Sequence, residues 1–412
     1  MRRSMLSPMT ALAQTQAQWL NHPLNPWLLS PLNRRMAAGY ELLYRLGKDY
    51  EKPAFGIEFT DVNHVRVAVS EELIARKPFC RLLHFRKLDV PDLIQPKMLV
   101  FAPLSGHFAT LLRDTVKKLL PDFDVYITDW IDAKMVPLEA GHFHLDDYVH
   151  YCIEFIRKLG PNLNVMSVCQ PTVPVLGAIS LMASRKDPLL PRTMIMMGGP
   201  IDARKSPTQV NNLATTKPLS WFQTHVVCTV PDKYPGVGRR VYPGFLQHAG
   251  FVAMNPDRHM TSHWDYYMDL VKGDNDDVDS HRKFYDEYNA VLDLDADYYI
   301  ETIETVFQSF ALPKGTWDVG GERVRPQDIT TVALLTIEGE LDDISGSGQT
   351  RAAHALCTGI PADMQLHFEA PGCGHYGIFS GRRWREVIYP QVKQFVENHG
   401  GGPAKRLNGA AA

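Results

Sequence analysis

The chain of 412 residues carries only six cysteines, and their scatter fits neither a disulfide framework nor a metal-ligand spacing. That excludes a small stapled secreted module and suits a reducing compartment. No apolar run approaches the length of a membrane span. An excess of one charge is also missing. With 43 basic residues against 46 acidic ones, a net of −3, no general attraction to nucleic acid or to an anionic membrane follows, and a polymer handled by this surface should be uncharged. Three metal or nucleotide patterns are incomplete. Gly236-Val237-Gly238 lacks the third glycine and the βαβ setting of a dinucleotide loop. The acidic run from Asp274 has Asp279 and Tyr285 where a calcium loop needs glycine and glutamate. His142-Phe143-His144-Leu145-Asp146-Asp147 lacks the closing histidine of a binuclear metal motif and reads as acids in a first helical turn. Neither a metal nor a cofactor is expected. Met1-Arg2-Arg3 could open a secretion signal, but Ser7, Pro8, Thr10 and Gln14 interrupt the apolar segment it would need, so the expected location is the cytoplasm.

Apolar residues make up an ordinary 45% of the chain, enough at this length for one large core or a core plus a cap. Alternating runs at 64–69 and 79–85 read as hairpin strands. Short apolar runs at 98–102, 125–128, 163–168, 193–197, 331–337 and 364–370 read as buried strands separated by helices. The pattern predicts an α/β class, with a mostly parallel sheet that is antiparallel at its start. Between 203 and 318 the strand rhythm gives way to a helical, aromatic-rich stretch, read as a cap. The predicted organisation is a helical extension over 1–55, core over 56–202 and 319–399, a cap over 203–318 and a disordered tail over 400–412. Residues 9–50 are patterned as amphipathic helix, expected to pack on the core, with docking on a hydrophobic particle as the competing reading.

Chemistry concentrates where the run Asn164 to Val168 stops at Cys169 and resumes after Pro171 as a helix. A strand-turn-helix of this kind is a nucleophile elbow, which lifts one side chain clear of the sheet and leaves the next N–H, that of Gln170, free for an oxyanion. The usual glycines of G-x-S-x-G are replaced by Ser167 and Pro171. The strand at 331–337 ends in Glu338-Gly339-Glu340-Leu341-Asp342-Asp343, which offers Asp342 as an orienting acid, with Asp343 as its competitor. After the strand at 364–370, Gly374-His375-Tyr376-Gly377 offers His375 as a base. Nucleophile, acid, histidine is the chain order of α/β-hydrolases. A second oxyanion donor is expected from the backbone of Leu104 or Ser105, in the loop Ala102-Pro103-Leu104-Ser105-Gly106-His107.

These segments, together with Thr128-Asp129-Trp130, Met197-Gly198-Gly199-Pro200-Ile201-Asp202, Tyr242 to Gln247 and Phe284 to Asn289, resemble the intracellular poly(3-hydroxybutyrate) depolymerases over most of the chain. The resemblance implies an α/β-hydrolase fold with an inserted helical cap and a Cys169, Asp342, His375 triad. It also implies cleavage of polyester ester bonds through a hydroxyacyl thioester, released by water or by coenzyme A as acyl acceptor. The expected partners are the polymer and the granule surface, and the expected location is cytoplasmic, partly on granules. A polyester synthase resembles the same plan with a Gly-x-Cys-x-Gly box, which this chain lacks; a non-catalytic granule protein would have no use for an intact triad.

Overall fold

The computed structural model describes residues 2–48, 50–254 and 256–401, so most of the expected tail, 402–412, lies outside the described residues. Its central feature is a nine-stranded sheet. The strands are β1 (Phe59–Val62), β2 (Val65–Arg76), β3 (Cys80–Lys87), β4 (Lys97–Phe101), β5 (Asp124–Trp130), β6 (Leu163–Val168), β7 (Thr193–Met197), β8 (Ala333–Gly339) and β9 (Gln365–Ala370). They lie side by side in the order β1-β2-β3-β5-β4-β6-β7-β8-β9. β1, β2, β3 and β5 pair antiparallel, and every pairing from β5 to β9 is parallel. All residues of β6, β7 and β8 are buried, as strands covered by helices on both faces must be. The expected hairpin start is present, and β1 is an addition to it that the sequence pattern did not single out.

Contacts divide the chain into two compact units, Phe55–Gly244 with Leu292–Ala412, and Met1–Ala54 with Phe245–Val291. This division differs from the expected boundaries at 203 and 318. Residues on either side of the excised stretch are bound into the sheet-bearing unit by specific bonds. Buried Arg239 donates to Asp295 (2.8 Å) and to the carbonyls of Val136, Pro137 and Gly141. Trp317 lies so close to Gly177 that a Cβ there would stand 2.7 Å from its ring, which fixes glycine at that helical position.

The second unit is helical. The stretch expected to be helical over 9–50 forms two helices, Arg2–Leu20 and Pro31–Gly47. Pro23 and Pro26 punctuate the connection, and buried Asn25 and Asn33 both donate to the terminal carbonyl of Leu20 (3.0 and 2.9 Å). These helices share a compact unit with 245–291. Arg45 donates to Asp286 (2.8 Å) and Arg282 to Glu41 (3.1 Å), fastening the helix Pro31–Gly47 to Asn275–Tyr288. In the same unit His281 stacks on Tyr266, ring centroids 4.1 Å apart, and leans on Tyr285 at 4.4 Å. Both its ring nitrogens are buried without a partner.

Burial first, then the charges of His263, Arg45 and Arg282, bring the His281 pKa down to about 4. An unfolded chain takes up that proton near the ordinary histidine value of about 6.5. The stability held by the neutral ring is therefore complete above that value and is lost progressively as pH falls toward about 4. His281→Phe keeps the stacking and sacrifices no hydrogen bond. It is expected to melt no lower than the parent at neutral pH and to lose less thermal stability on acidification to about pH 5, read by circular dichroism. Equal losses in the two proteins would show that His281 does not govern the acid sensitivity.

Candidate active site

Strand register brings the site together. Phe101 of β4 pairs with Ser167 of β6, Val168 with Met197 of β7, Met197 with Ile337 of β8, and Gly339 with Ala370 of β9. The loops that follow these residues therefore leave the sheet at one end, the carboxyl ends of the parallel strands, which is where open α/β sheets hold their chemistry.

β6 ends at Cys169, whose φ of 67° lies in the left-handed region. For a non-glycine residue this conformation costs about 1–3 kcal/mol and persists only where its surroundings impose it. Here the Cys169 N–H donates to the carbonyl of Met197 (2.7 Å), and its carbonyl accepts from Thr172 N–H (3.1 Å) as the helix Thr172–Ser184 begins. Pro171 stands at the helical cap with φ −55°, so the missing N–H costs nothing there. Ser167 is fully buried, its hydroxyl bonded to the carbonyl of Ile195 (3.3 Å). The close packing that the signature glycines usually permit falls instead on the next strand's loop. A Cβ on Gly199 would lie 1.8 Å from the Thr172 hydroxyl and 2.5 Å from the Cys169 carbonyl. At Gly198, with φ 56°, it would lie 2.5 Å from Ile378 and 3.3 Å from both Asp342 and His375.

The acid and the base meet beside the elbow. His375 Nδ1–H donates to Asp342 Oδ2 at 2.7 Å, and the Cys169 side chain lies close enough to the same ring to act on it electrostatically. Asp342 is held rigidly, its Oδ1 accepting the N–H groups of Ile344 (2.9 Å) and Ser345 (2.8 Å). Asp343 is exposed, so of the two adjacent acids the structure turns Asp342 onto the imidazole. One position upstream of this turn, buried Glu338 accepts from the N–H groups of Gly348, Thr350 and Arg351 (2.8, 2.7 and 2.8 Å), pinning the loop beyond. Burial of His375 acts to lower its pKa, but the charge of Asp342, the charge of Cys169 and the hydrogen bond to Asp342 outweigh it and hold the ring's affinity for a proton well above the usual histidine range. Such a ring readily accepts and keeps a proton from its neighbour.

Gln170 follows Cys169 directly, and the loop after β4 carries Leu104 and Ser105. His107 is buried with its ring edge-on to Tyr376, centroids 6.4 Å apart. Sequence reasoning missed Tyr298, whose buried hydroxyl donates to the carbonyl of Leu104 (3.1 Å). Nothing marked it out in a stretch crowded with aromatics. Gly198 and Gly199 appeared only as part of a resemblance, and their steric necessity emerges from the close approach of three loops.

Of the patterns set aside above, His142 comes near Asp295 and Asp297, with potential ligand atoms within 4.8 Å of one another. Those atoms already have partners. His142 bonds Asp297 (2.7 Å), and the two oxygens of Asp295 accept from Arg239 (2.8 Å) and the Asp297 N–H (3.0 Å). A cation there would have to compete with the Arg239 guanidinium for the same carboxylate.

Comparison with known proteins gives a family match and weak structural likenesses. The family model described as "PHB de-polymerase C-terminus" matches residues 198–400, a span that holds Asp342 and His375 and begins after Cys169. No curated protein matches the sequence. Solved structures similar to the chain include 2-hydroxy-6-oxo-6-phenylhexa-2,4-dienoate hydrolase from Rhodococcus sp. strain RHA1, at 11% identity and TM-score 0.45, covering 80% of this chain and 99% of that one. An epoxide hydrolase from Bacillus megaterium is 14% identical at TM-score 0.44, over 82% of this chain and 99% of its own. The thioesterase domain from the curacin biosynthetic pathway is 10% identical at TM-score 0.43, over 80% and 99%. Likeness at that level carries no argument about chemistry. Residues 198–400 thus match the poly(3-hydroxybutyrate) depolymerase family, and they are set on a strand order and on loops converging at one sheet end that give the chain an α/β-hydrolase fold.

Proposed function

We propose that this hydrolase cleaves ester bonds of poly(3-hydroxybutyrate) with Cys169 as nucleophile, His375 as base and Asp342 as the acid that orients it. The observation that carries the reading is the cysteine on a strained elbow, beside a histidine that is itself backed by a buried aspartate, in a chain whose residues 198–400 match this family. His375 takes the thiol proton, and Asp342 fixes the ring's tautomer and offsets the positive charge. The thiolate attacks an ester carbonyl carbon while the Gln170 N–H and an amide from Leu104 or Ser105 receive the oxyanion. The C–O bond then breaks, the alcohol end leaves with the proton from His375, and a hydroxyacyl thioester remains on Cys169. Water, deprotonated by His375, releases the acid; coenzyme A as acceptor would release an acyl thioester by the same steps. No cofactor or metal takes part in this scheme.

A neutral polyester has to be held by apolar contact and a few donors. No described helix is long and apolar enough to cross a membrane. The helical unit nonetheless leaves Trp19, Leu24, Trp27, Leu29 and Leu32 more than half exposed. Such side chains support reversible adsorption to a hydrophobic granule in the cytoplasm through apolar burial. In amorphous polymer single strands are mobile, whereas a strand drawn from a crystal first loses its packing contacts. The enzyme is therefore expected to release soluble hydroxybutyrate products from amorphous granules faster than from crystalline particles of matched surface area. Equal initial rates, or consumption of hydroxyacyl-coenzyme A with growth of polymer, would refute the reading.

A further inference from the structure

The scheme above gives Tyr298 no part, yet its place in the site is specific. It lies in the short helix Ala296–Thr302, is 1% exposed, and sends its hydroxyl to the carbonyl of Leu104 at 3.1 Å. The Thr302 hydroxyl and the Gln170 carboxamide lie beside the same hydroxyl, and the Cys169 side chain is close enough to act on it electrostatically. Neither the Thr302 hydroxyl nor either polar atom of the carboxamide completes a hydrogen bond of good geometry, whereas the phenol does so with the Leu104 carbonyl. Burial raises the tyrosine pKa well above its usual value, so the hydroxyl stays a donor throughout the working range.

The loop it holds is tied at both ends. At its root, the N–H of Ala102 donates to the Thr128 hydroxyl (2.9 Å), and the Ala102 carbonyl accepts from the Trp130 indole (2.9 Å). At its far side, the carbonyl of Gly106 accepts from Leu292 N–H (2.7 Å). Between these ties, Tyr298 grips the Leu104 carbonyl. Because the peptide group is planar and trans, fixing that carbonyl also fixes the plane carrying the Ser105 N–H and anchors the residue that carries the Leu104 N–H. Oxyanion donors are effective when they are already oriented before charge develops.

We propose that Tyr298 is a positioning residue: its hydroxyl holds the Leu104 carbonyl so that the loop's backbone N–H groups stand ready for the oxyanion formed when Cys169 attacks an ester. The inference rests on the reading of Cys169 as nucleophile.

Its test compares two reactions of the full-length chain in a Cys228→Ser background, because Cys228 is the exposed cysteine while Cys80, Cys152, Cys357 and Cys373 are buried. Hydrolysis of a soluble 3-hydroxybutyrate oligomer passes through an oxyanion; alkylation of Cys169 by iodoacetamide needs the thiolate and forms none. Tyr298→Phe is expected to lower kcat on the order of tenfold or more, with KM within about twofold and an unshifted pH profile. The alkylation rate of Cys169, followed by mass spectrometry, is expected to stay at the parent value. A kcat within about twofold of the parent would overturn the proposal. So would alkylation that falls in step with hydrolysis, whether through misfolding or a disturbed nucleophile. If the parent protein keeps full hydrolysis after Cys169 is alkylated, the nucleophile assignment itself fails, an outcome distinct from either result with Tyr298→Phe.

Discussion

Cys169→Ala is expected to abolish polyester cleavage, a loss on the order of 10³-fold or more, while the protein keeps its fold. The size follows from the mechanism: three groups that act as a unit lose nearly everything when the nucleophile is removed, and what remains is catalysis by oriented donors alone. Preservation of the fold follows from position. Cys169 is only partly buried and the elbow is held by backbone bonds, from Cys169 N–H to Met197 and from Thr172 N–H to Cys169, which alanine retains. Alanine must adopt the same φ of 67°, a strain the cysteine already bears. Initial rates on amorphous polymer, alongside a circular dichroism melt, check both halves. Substantial turnover by well-folded Cys169→Ala protein would remove the cysteine from the mechanism.

Asp342→Asn is expected to lower kcat on the order of 10³-fold or more, and Asp343→Asn to change it far less. An amide at 342 can present an N–H to His375 Nδ1 and so favour the wrong tautomer, leaving Nε2 protonated and unable to take the thiol proton. It also removes the charge that offsets burial, so the proton affinity of His375 should fall sharply. Loss of that charge has a sign in stability as well. A histidine whose pKa is raised in the fold contributes stability that is complete below the ordinary value of about 6.5 and is lost as pH rises through the folded value. The Asp342→Asn protein should lack this contribution, so its stability should depend less on pH above neutrality. Histidine proton signals followed through a pH titration, with steady-state rates for both variants, decide the matter. If Asp343→Asn proved the more damaging change, the orienting acid would have to be reassigned.

The parts of this fold that the sequence announces are those set by local pattern. β6, β7 and β8 are runs of buried apolar residues and could be placed within a residue or two, and Cys169 stood out because such a run stopped at a nucleophile and restarted behind Pro171. The sequence offers both Asp342 and its competitor Asp343, and what separates them is structural: two N–H groups of the following turn hold Asp342 inward. What could not be read depends on contacts between distant segments. The association of 1–54 with 245–291 rests on pairs such as Arg45 with Asp286, whose charges look like any others along the chain. Tyr298 is one aromatic among many between 203 and 318, and only the placement of its helix puts the hydroxyl on Leu104. Gly198 and Gly199 carry no local signal either, since their need for a bare Cα comes from Thr172, Asp342 and His375, each brought in by a different strand.

A covalent hydroxyacyl intermediate on Cys169 can be trapped by stopping the wild-type enzyme with acid during turnover of a 3-hydroxybutyrate oligomer and mapping its peptides by mass spectrometry. A hydroxybutyryl thioester is expected on the peptide that contains Cys169, lost when the protein is returned to neutral buffer and absent from Cys169→Ala protein. An acyl group on another residue, or a Cys169→Ala protein that still turns over the oligomer, would contradict it.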